Sequence, residues 1–506
     1  MLEGIVTGIL TALTPTNLMM VLIGCMAGTF IGMLPGLGPI SAIALMIPIT
    51  YGFDPAAGLI LMAGVYYGAI FGGSTSSILI NAPGVAGTVA SSFDGYPLAK
   101  AGHAGKALAI AAYASFSGGT IAAIFLLIAA PALATVALSF QSADYFALMV
   151  LGLTAVSAFA GRGHFLKAVM MTIFGLMLAT VGTDAAEGIE RFTFGRLDLI
   201  DGISFLLLAM ATFALSEALM TILKGDKVSD EAQRATRGAV GSLKLTRDEV
   251  RDLVPTVGRS SVLGFLIGVL PGAGATIASF LAYGMERSFA GAKEKLRFGK
   301  GSLRGLAAPE TANNAACSGS FVPLLTLGIP GSGTTAVMLG ALLSYNVQPG
   351  PQLFQDRPEV FWSVIISMYI GNMVLLVLNL PLIPYIARLL ALPANLLVPL
   401  ILFFSLIGVY LVSFNTFDIF MMVGFAVLAV GLRLFGYPLA PLILGFILGG
   451  MMEENLRRAL DIYDGYAFLW ERPLTLAIML VTLAVVVVPL VQGFRSRGAE
   501  GAGEGG

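Results

Sequence analysis

Residues 29–38 read TFIGMLPGLG, and residues 265–274 read FLIGVLPGAG. The two stretches share I-G-x-L-P-G-x-G, so the fold turns on a repeat with a helix breaker at its centre. Proline lacks a backbone donor, and its ring clashes inside a helix. Glycine permits backbone conformations and close approaches that a side chain forbids. A P-G-x-G within an apolar stretch therefore divides the helix into two halves.

A second pair of motifs follows the first. Residues 72–90 read GGSTSSILINAPGVAGTVA and residues 319–337 read GSFVPLLTLGIPGSGTTAV, with Pro83-Gly84 matching Pro330-Gly331 and Gly87-Thr88 near the position of Gly333-Thr334. The first motif recurs at an offset of 236 and the second at 247. The difference is the length of the basic insertion GAKEKLRFGKG at 291–301. Interrupted apolar segments at corresponding places in two halves are the sequence signature of a transporter's binding site.

The solvent of this chain is lipid. Of 506 residues, 57% are hydrophobic and 11% charged, with a mean hydropathy of +0.89. A soluble domain carries roughly a quarter charged residues. Apolar runs near 20 residues recur without a ten-residue alternation, which favours spanning helices over a barrel. The expected fold is an all-α polytopic membrane protein, built from two inverted-topology repeats with re-entrant, broken-helix hairpins at the P-G-x-G motifs. MLEGIVTGIL lacks the basic start of a cleavable signal peptide. Cys25 and Cys317 suggest no disulfide framework, and His103 and His164 no zinc cluster. The net charge of −1 gives no sign of nucleic-acid binding, and none is expected.

Charge sets the expected orientation. Loop 224–259 carries eight basic residues and loop 286–304 six, whereas 184–201 has five acids against Arg191 and Arg196. Basic loops remain cytoplasmic, which puts the C-terminus inside and the acidic segments 184–201 and 453–472 outside. The latter reads either as a docking surface or as a solvated loop. The stretch after the first repeat then faces in and the one after the second faces out, hence the inversion. The expected organisation is a first half at 1–223, a basic linker at 224–259, a second half at 260–493 and a disordered tail at 494–506.

Polar residues inside the repeats mark the candidate site. Broken helices offer free N–H groups to anions and bare carbonyls to cations. The residues assigned to a substrate lie at and beside the breaks. They are Pro35, Gly36 and Gly38; Ser74, Thr75, Ser76, Asn81, Pro83 and Gly84; Pro271, Gly272 and Gly274; and Pro330, Gly331, Gly333 and Thr334. Glu310, Asn313 and Asn314 share a helix face, and with Ser318 they are assigned to a small hard cation, which prefers oxygen ligands. An acid at mid-membrane costs about 2.5–3.5 kcal/mol on insertion scales. Glu310 reads as a cation or proton ligand or a gate. The plainer reading is a helix-end contact near Arg304, with the asparagines bridging helices and the serines packing small.

Five stretches then carry a resemblance. GMLPGLGPISAIALMIPITYGFDP (32–55), YYGAIFGGSTSSILINAPG (66–84), FDGYPLAKAGHAGKAL (93–108), GVLPGAGATIASFLAYGMER (268–287) and APETANNAACSGSFVPLLTLGIPGSGTTAVMLGAL (308–342) resemble the large membrane subunit of the tripartite tricarboxylate transporters. The resemblance runs over nearly the whole chain. It implies a bacterial inner-membrane symporter of citrate or other carboxylates, with sodium as coupling ion. It also implies two partners, a small four-span membrane subunit and a periplasmic solute-binding protein. The positions it singles out are Pro35-Gly36, Ser74 to Ser76, Pro83-Gly84, Pro271-Gly272, Glu310 to Asn314 and Pro330-Gly331.

The chain has no G-x-x-x-x-G-K-[ST] phosphate loop, so coupling falls to an ion gradient. An intramembrane hydrolase would need an activated nucleophile with a base in reach, and no histidine or aspartate lies within the repeated motifs at 29–38, 72–90, 265–274 and 319–337. The nearer alternative is a passive or proton-coupled organic-anion pathway working without a binding protein.

Overall fold

The computed structural model describes residues 2–34, 37–158, 164–184, 186–224, 241–272, 274–386 and 394–487. Pro35 and Gly36, the first part of the basic linker (225–240) and the tail lie outside these residues. Among the described residues the fold is helical apart from one two-stranded pairing of Gly182–Thr183 with Glu190–Arg191. Among the described residues, seven helices are long and apolar enough to cross a membrane.

The chain forms two compact units, each discontinuous. The first comprises Met1–Ala137 and Ser204–Gly431, and both motif copies belong to it. Its helices begin with α1 (Leu2–Ala12), α2 (Pro15–Met33), α3 (Gly38–Thr50), α4 (Pro55–Ile80), α5 (Val89–Leu98) and α6 (Ala104–Ala137). The second unit comprises Leu138–Ile203 and Leu432–Gly506, and opens with α7 (Ser142–Ala158) and α8 (Phe165–Ala179). The first then resumes with α9 (Phe205–Ala209), whose helix widens over 210–215 before α10 (Ser216–Lys224). There follow α11 (Arg247–Val269), α12 (Gly274–Phe289), α13 (Ala292–Lys295), α14 (Leu303–Leu327), α15 (Gly333–Ser344), α16 (Pro351–Asp356) and α17 (Pro358–Asn379).

The sequence repeat is also a packing repeat. Gly24, Gly28 and Gly32 lie on one face of α2, and a Cβ at each would come within 2.4, 2.3 and 2.2 Å of the carbonyls of Leu61, Val65 and Ala69 on α4. In the second copy, Gly264 and Gly268 on α11 stand in the same way 2.4 and 2.3 Å from the carbonyls of Ala312 and Ala316 on α14. The glycines are related by the offset of 236 and their partners by 247, as in the sequence. Small residues every fourth position let two helix backbones touch, the standard device for helix association in lipid.

The breaks repeat as well. Leu34 and Leu270 end α2 and α11 with nearly the same extended backbone (ψ 119° and 123°). Asn81 and Gly328 end α4 and α14 in the left-handed region, at φ 52° and 67°. That conformation favours glycine and, after it, asparagine, so Asn81 serves first as a helix terminator.

α4 is apolar apart from its Ser74–Ser77 run and the tyrosine hydroxyls, and all of it except Pro55 and Leu79 is buried. α14 is buried from Gly305 to Thr326. Each copy thus contributes one central helix. The second is anchored at its start, where Asp94 Oδ1 on α5 accepts backbone N–H groups of Gly299, Gly301 and Ser302 at 2.9, 2.8 and 2.7 Å. Arg304 pairs with Asp252, and its guanidinium lies 3.9 Å from Glu286. It is engaged away from Glu310, so the helix-end contact considered for that acid is not the one formed. α11 begins at Arg247 with a Thr246–Glu249 capping box, and so takes up the second part of the basic segment 224–259.

In the second unit, α8 crosses α18 (Ala440–Ile462), with a Cβ at Gly175 only 2.0 Å from the Leu442 carbonyl. The acidic segment expected to be a loop from residue 453 continues this helix to Ile462. Pairs four residues apart, Glu453–Arg457 and Glu454–Arg458, sustain the helix there. Arg457 also reaches Asp184 at 2.6 Å, and Arg191 reaches Glu453 at 2.8 Å. The backbone N–H of Ala186, then that of Glu187, holds the Asp184 carboxyl below its usual range, with Arg457 and Arg191 adding to the effect. Asp144 is buried beneath Arg472 at 2.8 Å and accepts from Thr475 at 2.8 Å.

Candidate functional site

The four helix breaks of the first unit lie near one another. A Cβ at Gly38 would be 3.9 Å from the Gly84 carbonyl, and one at Gly274 3.6 Å from Ser332 Cβ. The two copies meet where Gly87 faces Ala275; a Cβ at Gly87 would be 3.5 Å from that of Ala275. Within the first copy, Gly84 packs so closely that a Cβ would be 1.8 Å from the Gly32 carbonyl, and its N–H donates to Ser76 Oγ at 3.1 Å. Within the second, the N–H of Gly272 donates to the Gly331 carbonyl at 3.0 Å. The second break leads into α15, where Ser332 accepts from Thr335 N–H. Gly333 and the buried Thr334 form the first turn of that helix. Tyr66 of α4 comes within 3.4 Å of Ser332 Oγ.

Glu310 is fully buried on α14. Its Oε2 accepts from Ser74 Oγ at 2.7 Å and from Ser115 Oγ at 2.9 Å. The acid of the second copy is thus held by a hydroxyl of the first and by one from α6. No ion pair to it occurs among the described residues, and its Oε1 has no hydrogen-bond partner there. Thr311 Oγ1 and Asn314 Oδ1 are likewise buried without a partner among them. Asn314 Nδ2 donates to Asn313 Oδ1 at 2.7 Å and to the Glu310 carbonyl at 3.1 Å, which turns its oxygen free. Asn313 Nδ2 reaches the Gly87 carbonyl, at 3.4 Å, just beyond the first copy's break.

These oxygens are of the chemical kind that a hard cation takes. A carboxylate, an amide oxygen and a hydroxyl on adjacent turns supply oxygen donors only, and an unpaired buried carboxylate is costly without a compensating charge or proton.

The assigned residues do not all converge. Ser74 joins Glu310, but Thr75 and Ser76 direct their hydroxyls to carbonyls of their own helix, Phe71 and Gly73. Ser318 pairs with Tyr67 OH at 2.6 Å and with the Gly119 carbonyl at 3.3 Å. Asn81 is exposed. Pro83, Pro271 and Pro330 shape the breaks. Sequence reasoning missed Ser115, which sits in an alanine-rich run of α6 and carries no motif, and Tyr67, the residue aligned with Asn314 by the repeat.

Comparison with known proteins decides the family. A profile described as "Tripartite tricarboxylate transporter TctA family" matches residues 18–444. The chain belongs to the TctA family. It is 42% identical over 499 residues, 98% of each chain, to the uncharacterized 52.8 kDa protein in the TAR-I ttuC' 3' region of Agrobacterium vitis. A second relative, the uncharacterized protein in the TAR-II ttuC' 3' region of the same organism, is 41% identical over 46% of this chain and 96% of its own length. No solved structure matches. TctA membership makes the chain a multi-pass membrane protein and the large subunit of a tripartite tricarboxylate transporter, with the helices that such a role needs.

Proposed function

We propose that this chain is the carboxylate pathway of a sodium-coupled importer in a bacterial inner membrane, with its C-terminus in the cytoplasm. A periplasmic solute-binding protein delivers the anion, and a small four-span membrane subunit completes the complex. The observation that carries the reading is the contact of Ser74 with Glu310, which ties one copy's serine run to the other copy's acid. The half-helix N-terminus at Gly333 and Thr334 receives the anion. The free oxygens of Glu310, Thr311 and Asn314 receive sodium.

A ligand shifts an equilibrium only by its differential affinity for the two states. Sodium and substrate bound together neutralise the site, and the charge-compensated form is the one that crosses. Each charge moved through 100 mV is worth about 2.3 kcal/mol, so two or more sodium ions accompany a multivalent anion. The two copies run in opposite topology, giving alternating access.

Citrate or dicarboxylate uptake into vesicles holding the three components tests the reading. Uptake should require an inward sodium gradient, and equal rates without sodium would remove the coupling. A second reading has a specific basis. Glu310 is held by hydroxyls and has no cationic neighbour among the described residues, so it could equally carry a proton. Uptake driven by a pH gradient in sodium-free buffer would favour that reading. Labelling of single cysteines in 225–240 and 184–201 from opposite sides tests the orientation.

A further inference from the structure

A cavity of about 1000 Å³ opens in the first unit between α6, α11 and the segment 243–245, away from the residues assigned to substrate and ion. Its walls are largely aliphatic, with Ile110, Ala114 and Ile121 from α6 and Leu253, Val254 and Val257 from α11. Val254 is 62% exposed. One end is cationic. Lys244 lines the cavity and is exposed. Arg247 lies on the same helical face as Val250 and Val254, at spacings of three and seven, and Arg251 follows one turn later.

The neighbouring acids are mostly occupied. Glu249 pairs with Lys106 at 2.6 Å, and Asp252 with Arg304. That leaves Asp248 facing solvent against three cations, which form no ion pair among the described residues. The cavity therefore joins an apolar chamber to a surplus of positive charge.

We propose that this cavity binds an anionic phospholipid, with an acyl chain between α6 and α11 and its phosphate at Lys244 and Arg247. Length favours a lipid over a partner's helix. The lining of α11 runs from Val250 to Gly258 and that of α6 from Ile110 to Ile121. At 1.5 Å per residue these are roughly 12–17 Å long, about half of a hydrocarbon core near 30 Å thick. A spanning helix would need a groove of about the full thickness. A single leaflet's acyl chain needs half of it. Basic pockets between helices at the cytoplasmic side are the usual sites for anionic headgroups, and the basic bias of this segment assigns it to that side. Ala307 also lines the cavity, three residues before Glu310 on α14. The lipid thus braces the turn that leads to the ion site.

Native mass spectrometry of the full chain in detergent, with added phosphatidylglycerol or phosphatidylcholine, tests this. Phosphatidylglycerol should be retained at least about fivefold better, a preference lost in the double variant Lys244→Glu, Arg247→Glu. Val254→Trp, at an exposed position on the cavity wall, should reduce retention of both lipids without lowering the melting temperature. Equal retention of the two lipids, or a preference unchanged by charge reversal, would overturn the proposal. So would a photo-crosslinker at Val254 that captures a co-expressed small membrane subunit rather than phospholipid.

Discussion

Ser115 on α6 donates its hydroxyl to Glu310 on α14 at 2.9 Å, across 195 residues of sequence. With Ser74 it fixes one carboxylate oxygen and leaves the other without a hydrogen-bond partner among the described residues. This arrangement separates positioning from binding. The serines orient the acid, and in the proposed function the free oxygen is the one that holds a cation or a proton.

Glu310→Gln should therefore leave folded protein in the membrane yet lower sodium-driven uptake at least tenfold, about 1.4 kcal/mol in the barrier. Ser115→Ala, which removes one donor and keeps the carboxylate, should lower it less and weaken the dependence on sodium concentration. Unchanged kinetics in both would make Glu310 a packing residue.

The glycine seams predict a paired effect. Gly32→Ala and Gly268→Ala each drive a methyl into a carbonyl, of Ala69 and Ala316. Each should destabilise by about 1–3 kcal/mol, read as a lower melting temperature in detergent. Gly284→Ala is the control, because nothing lies within 4 Å of its Cβ position. There the change should be neutral or stabilising by up to about 1 kcal/mol.

Asp94 should act through the start of α14. Replacing it with alanine frees three backbone N–H groups, of which only that of the buried Ser302 loses its partner away from water, at about 1–3 kcal/mol. Hydrogen exchange at Gly299, Gly301 and Ser302 should accelerate well before that of the Gly305–Thr326 core. Unchanged protection at those three amides would show that the carboxylate does not secure the helix.

Acid should loosen the second unit through Asp184. Its carboxyl lies below the ordinary range in the folded protein, first through the Ala186 N–H. A depressed carboxyl contributes stability above its unfolded pKa, roughly 3.9, and loses it as pH falls through the folded value. The melting temperature of Asp184→Asn should thus lie below that of the unaltered chain at pH 6 and converge with it below about pH 4. A constant difference across that range would assign the effect to geometry rather than charge.

Much of this was legible in the chain. The P-G-x-G motifs and their offsets located both breaks of each copy, and the same offsets relate Gly28 to Gly264 and Val65 to Ala312 in the packing. Glycine spacing and proline act through the local backbone, so sequence records them directly. The helical continuation past Glu453 was less legible. Its charges read as a loop until their spacing of four is seen to close ion pairs on a helix.

The sequence by itself determined a lipid-solvated, duplicated helical protein with two breaks per copy, because composition and breaker residues are local properties of the chain. Only the tertiary structure decided which polar groups meet. Nothing local distinguishes Ser115 from any other small residue in α6, or tells that all three hydroxyls of Ser74, Thr75 and Ser76 face carbonyls of their own helix while Ser74 alone also reaches Glu310. A hydroxyl's partner depends on helix rotation and on close approach between segments nearly 200 residues apart, and both are set by packing.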